Sequence, residues 1–284
     1  MAAYRSPGES GVLELTLDRR ACSFRALAAA ALALAATAFA APPLEAAPKA
    51  NSHPWPQRID AAERFADERA GTVSFAVIDE GGELRGDHVD RVHNSASVVK
   101  VMFMVALLRQ PEVRDDALSS SERGLIGPMI KRSDNASATA IYNRVGEGAL
   151  YELADDAGMD RFTTQPVWGL SEITPREQAS FFLRLERYVP KRHRAYALKL
   201  LTKIVPSQRW GIPPAAPNGW TLHFKGGWSG RPNWRVNQVM LLRKQQQRFA
   251  IAILTRDQPS KNYGEKTIET VARRLLRGYG RFDG

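Results

Sequence analysis

Alternating β-type patterning occurs in two places along this chain, one on each side of a long helical stretch. That order restricts the fold more than any other feature. Thr72–Asp79 (TVSFAVID) is a β-branched, alternating run followed by Glu80-Gly81-Gly82, a hairpin signal, so Glu83–Val89 is its expected partner strand. Strand patterning then returns at Thr221–Gly226, Val236–Leu242 and Phe249–Thr255. Between the two regions the apolar spacing is helical over Ser97–Leu108, Ser121–Lys131, Asn135–Val145, Gly148–Ala157, Pro175–Val189 and Arg192–Val205. Thr174 followed by Pro175 is a helix-start signal, and 206–217 reads as loop. Gln57–Ala70 and Glu265–Leu276 add an amphipathic helix at each end. The expected fold is α/β: an antiparallel sheet drawn from both ends of the chain and flanked by the terminal helices, with an all-helical subdomain of residues 94–217 inserted between its strands.

The N-terminal part does not belong to that pattern. Arg19, Arg20 and Arg25 precede a 15-residue apolar run, Ala26–Ala40, which is too short to span a bilayer. It ends in Ala38-Phe39-Ala40, a small-x-small cleavage pattern. The expectation is a signal peptide over 1–40, a Pro/Ala-rich linker over 41–56 and a folded domain over 57–284, in a secreted or periplasmic protein of the cell envelope; a short buried helix is the alternative reading of the apolar run. The single cysteine, Cys22, lies in this leader, so the mature chain has no disulfide, thiolate nucleophile or cysteine metal site. Beyond Ala40 there are 36 basic and 27 acidic side chains, a net charge of +9 that favours anionic surroundings. The basic clusters at 191–194 and at Arg273, Arg274 and Arg277 carry no nucleic-acid motif and read as solvated helix faces, so no nucleic-acid partner is expected. His88 and His93 have no acidic ligand set beside them, and neither a metal nor a cofactor is expected.

The chemistry is carried by a lysine in an unusual place. Lys100 sits inside an apolar run, N-S-A-S-V-V-K-V-M-F, where an ammonium is costly unless it is paired or loses its proton. Ser97 lies one helical turn before it, so hydroxyl and amine share a face, and a desolvated lysine can activate a serine as nucleophile. Taken alone, this pair reads equally as a helix cap with a snorkelling lysine. Two further motifs stand downstream, Ser133-Asp134-Asn135 and, at the end of a strand, Lys225-Gly226-Gly227 before Trp228. Each also has an ordinary reading, Ser133 as a cap, Asn135 as a surface residue and Lys225 before a turn.

Ser-x-x-Lys, Ser-Asp-Asn and Lys-x-Gly in this order, with R-W-G-I-P-P at 209–214, resemble the penicillin-recognising serine enzymes, and most closely the class A β-lactamase family. The resemblance runs from about Ile59 to the C-terminal helix. It implies a β-lactamase/transpeptidase-like fold and an acyl-enzyme on Ser97. Lys100 would be the general base, Ser133 would pass a proton to the leaving nitrogen, and Asn135 would hold the substrate amide. Lys225 would attract the substrate carboxylate, with Arg235 as a second anchor, and Gly227 and Trp228 would line the substrate site. The oxyanion hole would be formed by the N–H groups of Ser97 and Trp228. The implied substrate is a β-lactam or related amide, small molecule or peptide, bearing a carboxylate. A D,D-peptidase-like enzyme on cell-wall stem peptides and a catalytically silent envelope-binding protein are the alternatives.

The resemblance breaks where the acyl-enzyme would be hydrolysed. The family's loop carries a glutamate that activates the deacylating water, followed by an asparagine; here the segment is Phe162–Thr174 (FTTQPVWGLSEIT), in which Glu172 is the one acid, its neighbours do not match, and asparagine is absent. Ser97 and Ser133 stand only 36 positions apart, so one wall of the cleft is expected to be reduced to Pro111–Ser120. The expectation is acylation with slow release. Trp210, Trp220, Trp228 and Trp234 read by default as core, and alternatively as a platform for a glycan or peptide, with Trp228 facing the cleft.

Overall fold

The structure, a computed structural model, describes residues 55–230 and 233–279; the expected signal peptide, Cys22 and most of the expected linker lie outside them. The chain opens with α1 (Trp55–Asp67), β1 (Thr72–Asp79), β2 (Leu84–Asp87) and the short β3 (His93–Asn94). A 3-10 turn at Ala96–Val99 leads into α2 (Lys100–Arg109), α3 (Pro111–Arg114), α4 (Ser120–Lys131) and α5 (Asn135–Ala157). After a loop with a 3-10 turn at Trp168–Leu170 come β4 (Glu172–Ile173), α6 (Pro175–Leu183), α7 (Leu185–Tyr188), α8 (Arg194–Thr202) and α9 (Ile212–Ala215). β5 (Thr221–Ser229), β6 (Arg235–Lys244), β7 (Gln247–Arg256) and α10 (Lys261–Leu275) close the fold.

The five-stranded antiparallel sheet has the order β2-β1-β7-β6-β5, so β1 from the start of the chain pairs with β7 from its end. This is the sheet from both ends that the periodicities imply. The six central residues of β1 and seven of β7 are buried without alternation, because α1 and α10 cover one face and α6 packs against the other. β5 is the edge strand opposite β2, which leaves backbone groups on its outer side available to the site.

α2 is apolar on every face, and its residues 100–108 are all buried against α4 and α5. Lys100 is therefore drawn into the interior by the helix it begins. α4 starts on a capping box, Ser119 with Glu122, and α6 starts, as expected, on Thr174 with Pro175 at its first position. Boundaries differ where a local device intervenes. The helices expected at 135–145 and 148–157 are joined as α5, with the break surviving as a left-handed Gly146 (φ 73°). Pro175–Val189 divides at Arg184 into α6 and α7. α10 starts four residues early because Ser260 caps it through Tyr263 N–H. Among the described residues no helix is long and apolar enough to cross a membrane.

Candidate active site

The expected helix start at Ser97 is corrected. The α-helix begins at Lys100, and Ser97 lies on the preceding 3-10 turn, where residues three apart eclipse and so still share a face. Ala96 opens that turn with φ 46°, a left-handed conformation that costs on the order of 1 kcal/mol or more for a residue with a Cβ. The turn rests on Gly227 of β5. A Cβ at Gly227 would stand 2.5 Å from the Ser97 nitrogen and 2.9 Å from that of Val98. Glycine here is what lets the serine turn reach the edge strand.

Ser133 also has a left-handed backbone, φ 60°, in the tight turn between α4 and α5. The cap of α5 is Asp134, whose carboxylate accepts from Ser137 N–H at 2.7 Å. Ser133 is thus relieved of the capping role that the sequence allowed it, and its hydroxyl is free for the cleft. Asn135 is the first residue of α5.

Four oxygen acceptors surround Lys100 Nζ, one more than an ammonium has protons, so the two at 3.3 Å share one. Its Nζ donates to Ser133 O (2.6 Å), Asn135 Oδ1 (2.7 Å), Asp134 O and Ser133 Oγ (both 3.3 Å). Ser97 is not among these partners, although it stands on the same turn. Lys225, buried on β5, donates from Nζ to Ser133 Oγ at 3.0 Å and to Gly226 O. The Ser133 hydroxyl therefore accepts from two amines. With both acceptor positions used, its proton is left to donate elsewhere.

Burial pulls the Lys100 pKa from 10.5 down to about 8, against the opposing charge of Asp134. Lys225 is held well below 10.5, first by burial and then by the charge of Lys100. Two amines facing one hydroxyl without a buried carboxylate cannot both stay charged at low cost.

The glycines of the third motif lie inside β5, which runs on to Ser229, so the turn reading of Lys225-Gly226-Gly227 is wrong. Gly226 admits the Trp210 ring, to which a Cβ would come within 2.9 Å. Trp228 is half-buried, edge-on to Trp210 (centroids 6.0 Å, 76°), with Lys261 Nζ 4.5 Å from its ring. Trp220 takes no part: it packs with Phe249 and Tyr279 away from the third motif. Trp234 pairs with Gln258 through the backbone. Arg235 opens β6 opposite Ser229, whose buried hydroxyl has no hydrogen-bond partner. The structure thus joins Lys100, Ser133, Asn135 and Lys225 in one network and seats Ser97 on Gly227, while Trp228 and Arg235 lie further along the β5–β6 edge.

The loop before α6 is tied to the serine turn by Asn94 Nδ2 to Leu170 O (2.8 Å) and Ser95 N–H to Ser171 O (2.7 Å). Glu172 pairs across β3–β4 with Asn94, and its carboxylate accepts from Thr163 Oγ1 at 3.0 Å. Trp168, which sequence reasoning passed over, lies over Lys100 with its ring centroid 4.9 Å from Nζ. The available signal was an apolar V-W-G-L stretch inside a segment otherwise read as loop. Among the described residues, no group of three His, Cys, Asp or Glu side chains is placed to hold a metal ion.

Comparison with known proteins agrees with this architecture. A β-lactamase from Sphaerobacter thermophilus superposes with a TM-score of 0.68 at 22% identity, covering 79% of this chain and 97% of that one. A class A β-lactamase from Mycobacterium abscessus gives 0.67 at 19% identity, covering 79% and 100%. PBP-A gives 0.65 at 17% identity, covering 79% and 96%. These identities establish the fold, an antiparallel sheet with flanking helices of the class A β-lactamase type. No protein of curated function matches the sequence. The family profile described as beta-lactamase enzyme family matches residues 113–279, more than half of the chain, spanning the second and third motifs and starting just after the first. On that match, the chain belongs to the beta-lactamase enzyme family and is a serine hydrolase of β-lactamase type.

Proposed function

We propose that the mature protein is an exported serine acyl-enzyme hydrolase in which Ser97 attacks the carbonyl of a β-lactam or related amide, and in which release from the enzyme is slow. The observation that carries this reading is the Ser133 hydroxyl held by both Lys100 and Lys225 beside the Ser97 turn. In the acylation step Lys100, as the free amine, takes the Ser97 hydroxyl proton directly or through a water. The Oγ–C bond forms, the amide C–N bond breaks, and Ser133 hands a proton to the leaving nitrogen and is resupplied from Lys100. A pKa near 8 leaves about a tenth of Lys100 as free amine at neutral pH, enough for a base.

Lys225 attracts the substrate carboxylate. Arg235 adds a second cation across from Ser229, whose unpartnered hydroxyl is suited to the same oxygen atoms. Asn135 and the β5 edge at Gly227 and Trp228 line the substrate, and backbone N–H groups of Ser97 and Trp228 form the oxyanion hole. Export is supported by Arg19, Arg20 and Arg25 followed by the apolar run to Ala40.

A fluorescent penicillin tests this reading. The wild-type mature protein is expected to carry a mass adduct on Ser97 that Ser97→Ala lacks. Cleavage of a D-alanyl-D-alanine peptide in place of penicillin labelling would move the assignment to a D,D-peptidase. Reversible binding of either without an adduct would make the protein an envelope-binding relative.

A further inference from the structure

Hydrolysis of an ester on Ser97 needs a water beside it and a group that accepts the water's proton. The acids on that side are committed. Asp134 caps α5 through Ser137, and its charge is the one that reaches Lys100. Glu172 is bonded to Thr163. Glu147, near the kink of α5, accepts from the Tyr142 hydroxyl at 2.9 Å. The remaining base is Lys100, and it is enclosed. Three carbonyl oxygens and the Ser133 hydroxyl take its hydrogen bonds, its side chain is fully buried, and the Trp168 ring lies over Nζ.

Trp168 is seated with some care. Its ring stands edge-on to Phe103 of α2 (centroids 5.9 Å, 85°), and its Nε1–H donates to Thr139 Oγ1 of α5 at 3.1 Å. The following Gly169 passes close to the serine turn, where a Cβ would lie 3.9 Å from Ala96 Cα. Trp168 is half-buried while its neighbours Val167 and Leu170 are exposed, so of these three side chains the indole alone is turned toward Lys100. An indole face is attractive to an ammonium and offers a water nothing to bond to.

We propose that Trp168 is a plug: its indole fills the space beside Lys100 from which water would attack the Ser97 ester, and so prolongs the life of the acyl-enzyme. The inference rests on Ser97 acylation as proposed above. The step it blocks is formation of the water O–C bond, cleavage of C–Oγ and return of the water's proton to Ser97. Trp168 acts through Lys100 and through exclusion of water, which makes it a positioning residue.

The test follows the mass of the penicilloyl adduct after excess ligand is removed, with acylation read separately from label uptake. In Trp168→Ala the half-life of the ester is expected to fall about tenfold or more, while Trp168→Phe, which keeps a ring against Phe103, holds near the wild-type value. Thr139 is exposed, so Thr139→Ala leaves the fold intact and loosens only the outer edge of the indole; a shortening of about threefold is expected. This variant carries the test if Trp168→Ala does not fold. A labelled protein whose ester lifetime is unmoved by these changes overturns the plug alone. A wild-type protein that takes no label overturns the acylation reading and the plug with it.

Discussion

On the strand side of the cleft, polar atoms from three separate segments meet: Lys100 at the head of α2, Ser133 and Asn135 around the start of α5, and Lys225 on β5 share one hydrogen-bond network. On the loop side, the corresponding position over Lys100 is filled by an aromatic ring, and the one acid of the segment 162–174 is bonded to a threonine of its own loop. The first side is strained to achieve its arrangement. Of the five described non-glycine residues with positive φ, Ala96 and Ser133 belong to it. The second side is ordinary packing. On the proposed reading, the difference teaches that forming an acyl-enzyme and hydrolysing it are separable, because the acylating groups gather on one side while the one acid of the loop is bonded to Thr163.

The comparison breaks most visibly at Lys100. If the strand side does the acylating, Lys100→Met lowers the rate of penicillin labelling by about a thousandfold, measured by stopped-time gel fluorescence. A smaller loss, of about a hundredfold, is expected from Gly227→Ala, because a Cβ 2.5 Å from the Ser97 nitrogen displaces the serine turn by a fraction of an ångström. The thermal midpoint of that variant, read alongside, separates displacement of the turn from unfolding.

pH sharpens the comparison further. Burial lowers the Lys100 pKa from the ordinary lysine value of 10.5 to about 8. Labelling is expected to slow about tenfold per pH unit below that value and to level off above it, since the amine is the active form. The same shift has a sign for stability. Between the two pKa values the unfolded chain binds more protons, so folding is favoured as pH rises through the window and loses that contribution as pH falls through about 8. Urea melts at about pH 8 and about pH 10 should show the wild type gaining on Lys100→Met by about 2 kcal/mol. The smallest effect belongs to the loop: Glu172→Gln should change the ester lifetime by less than about twofold, because its carboxylate serves Thr163. A loss of turnover on that substitution would restore Glu172 as a deacylating base.

Much of this was legible in the sequence because it rests on periodicity and on short motifs. The order of helices and strands implies a sheet shared by β1 and the C-terminal strands, and the three motifs mark Ser97, Ser133 and Lys225. Less legible was whatever depends on approach between segments. Gly226 and Gly227 read as the end of a strand, since glycine is a poor strand former, yet they continue β5 because Trp210 and the serine turn need the space. Asp134 rather than Ser133 proved to be the cap, a choice between adjacent residues made by the left-handed turn at Ser133. Trp168 was invisible for the same reason as Trp220: an aromatic residue carries no sign of which side chain it will cover, and only the fold sends one to Lys100 and the other to Phe249 and Tyr279.

The most direct test is a rapid-mixing experiment with a chromogenic cephalosporin. The account predicts a burst of one opened β-lactam ring per protein molecule, matched by a Ser97 adduct, followed by a much slower linear phase as the ester is released. Fast, linear ring opening from the first milliseconds, with no burst and no accumulating adduct, would contradict it, since a water-activating group would then be at work on the loop side of the cleft.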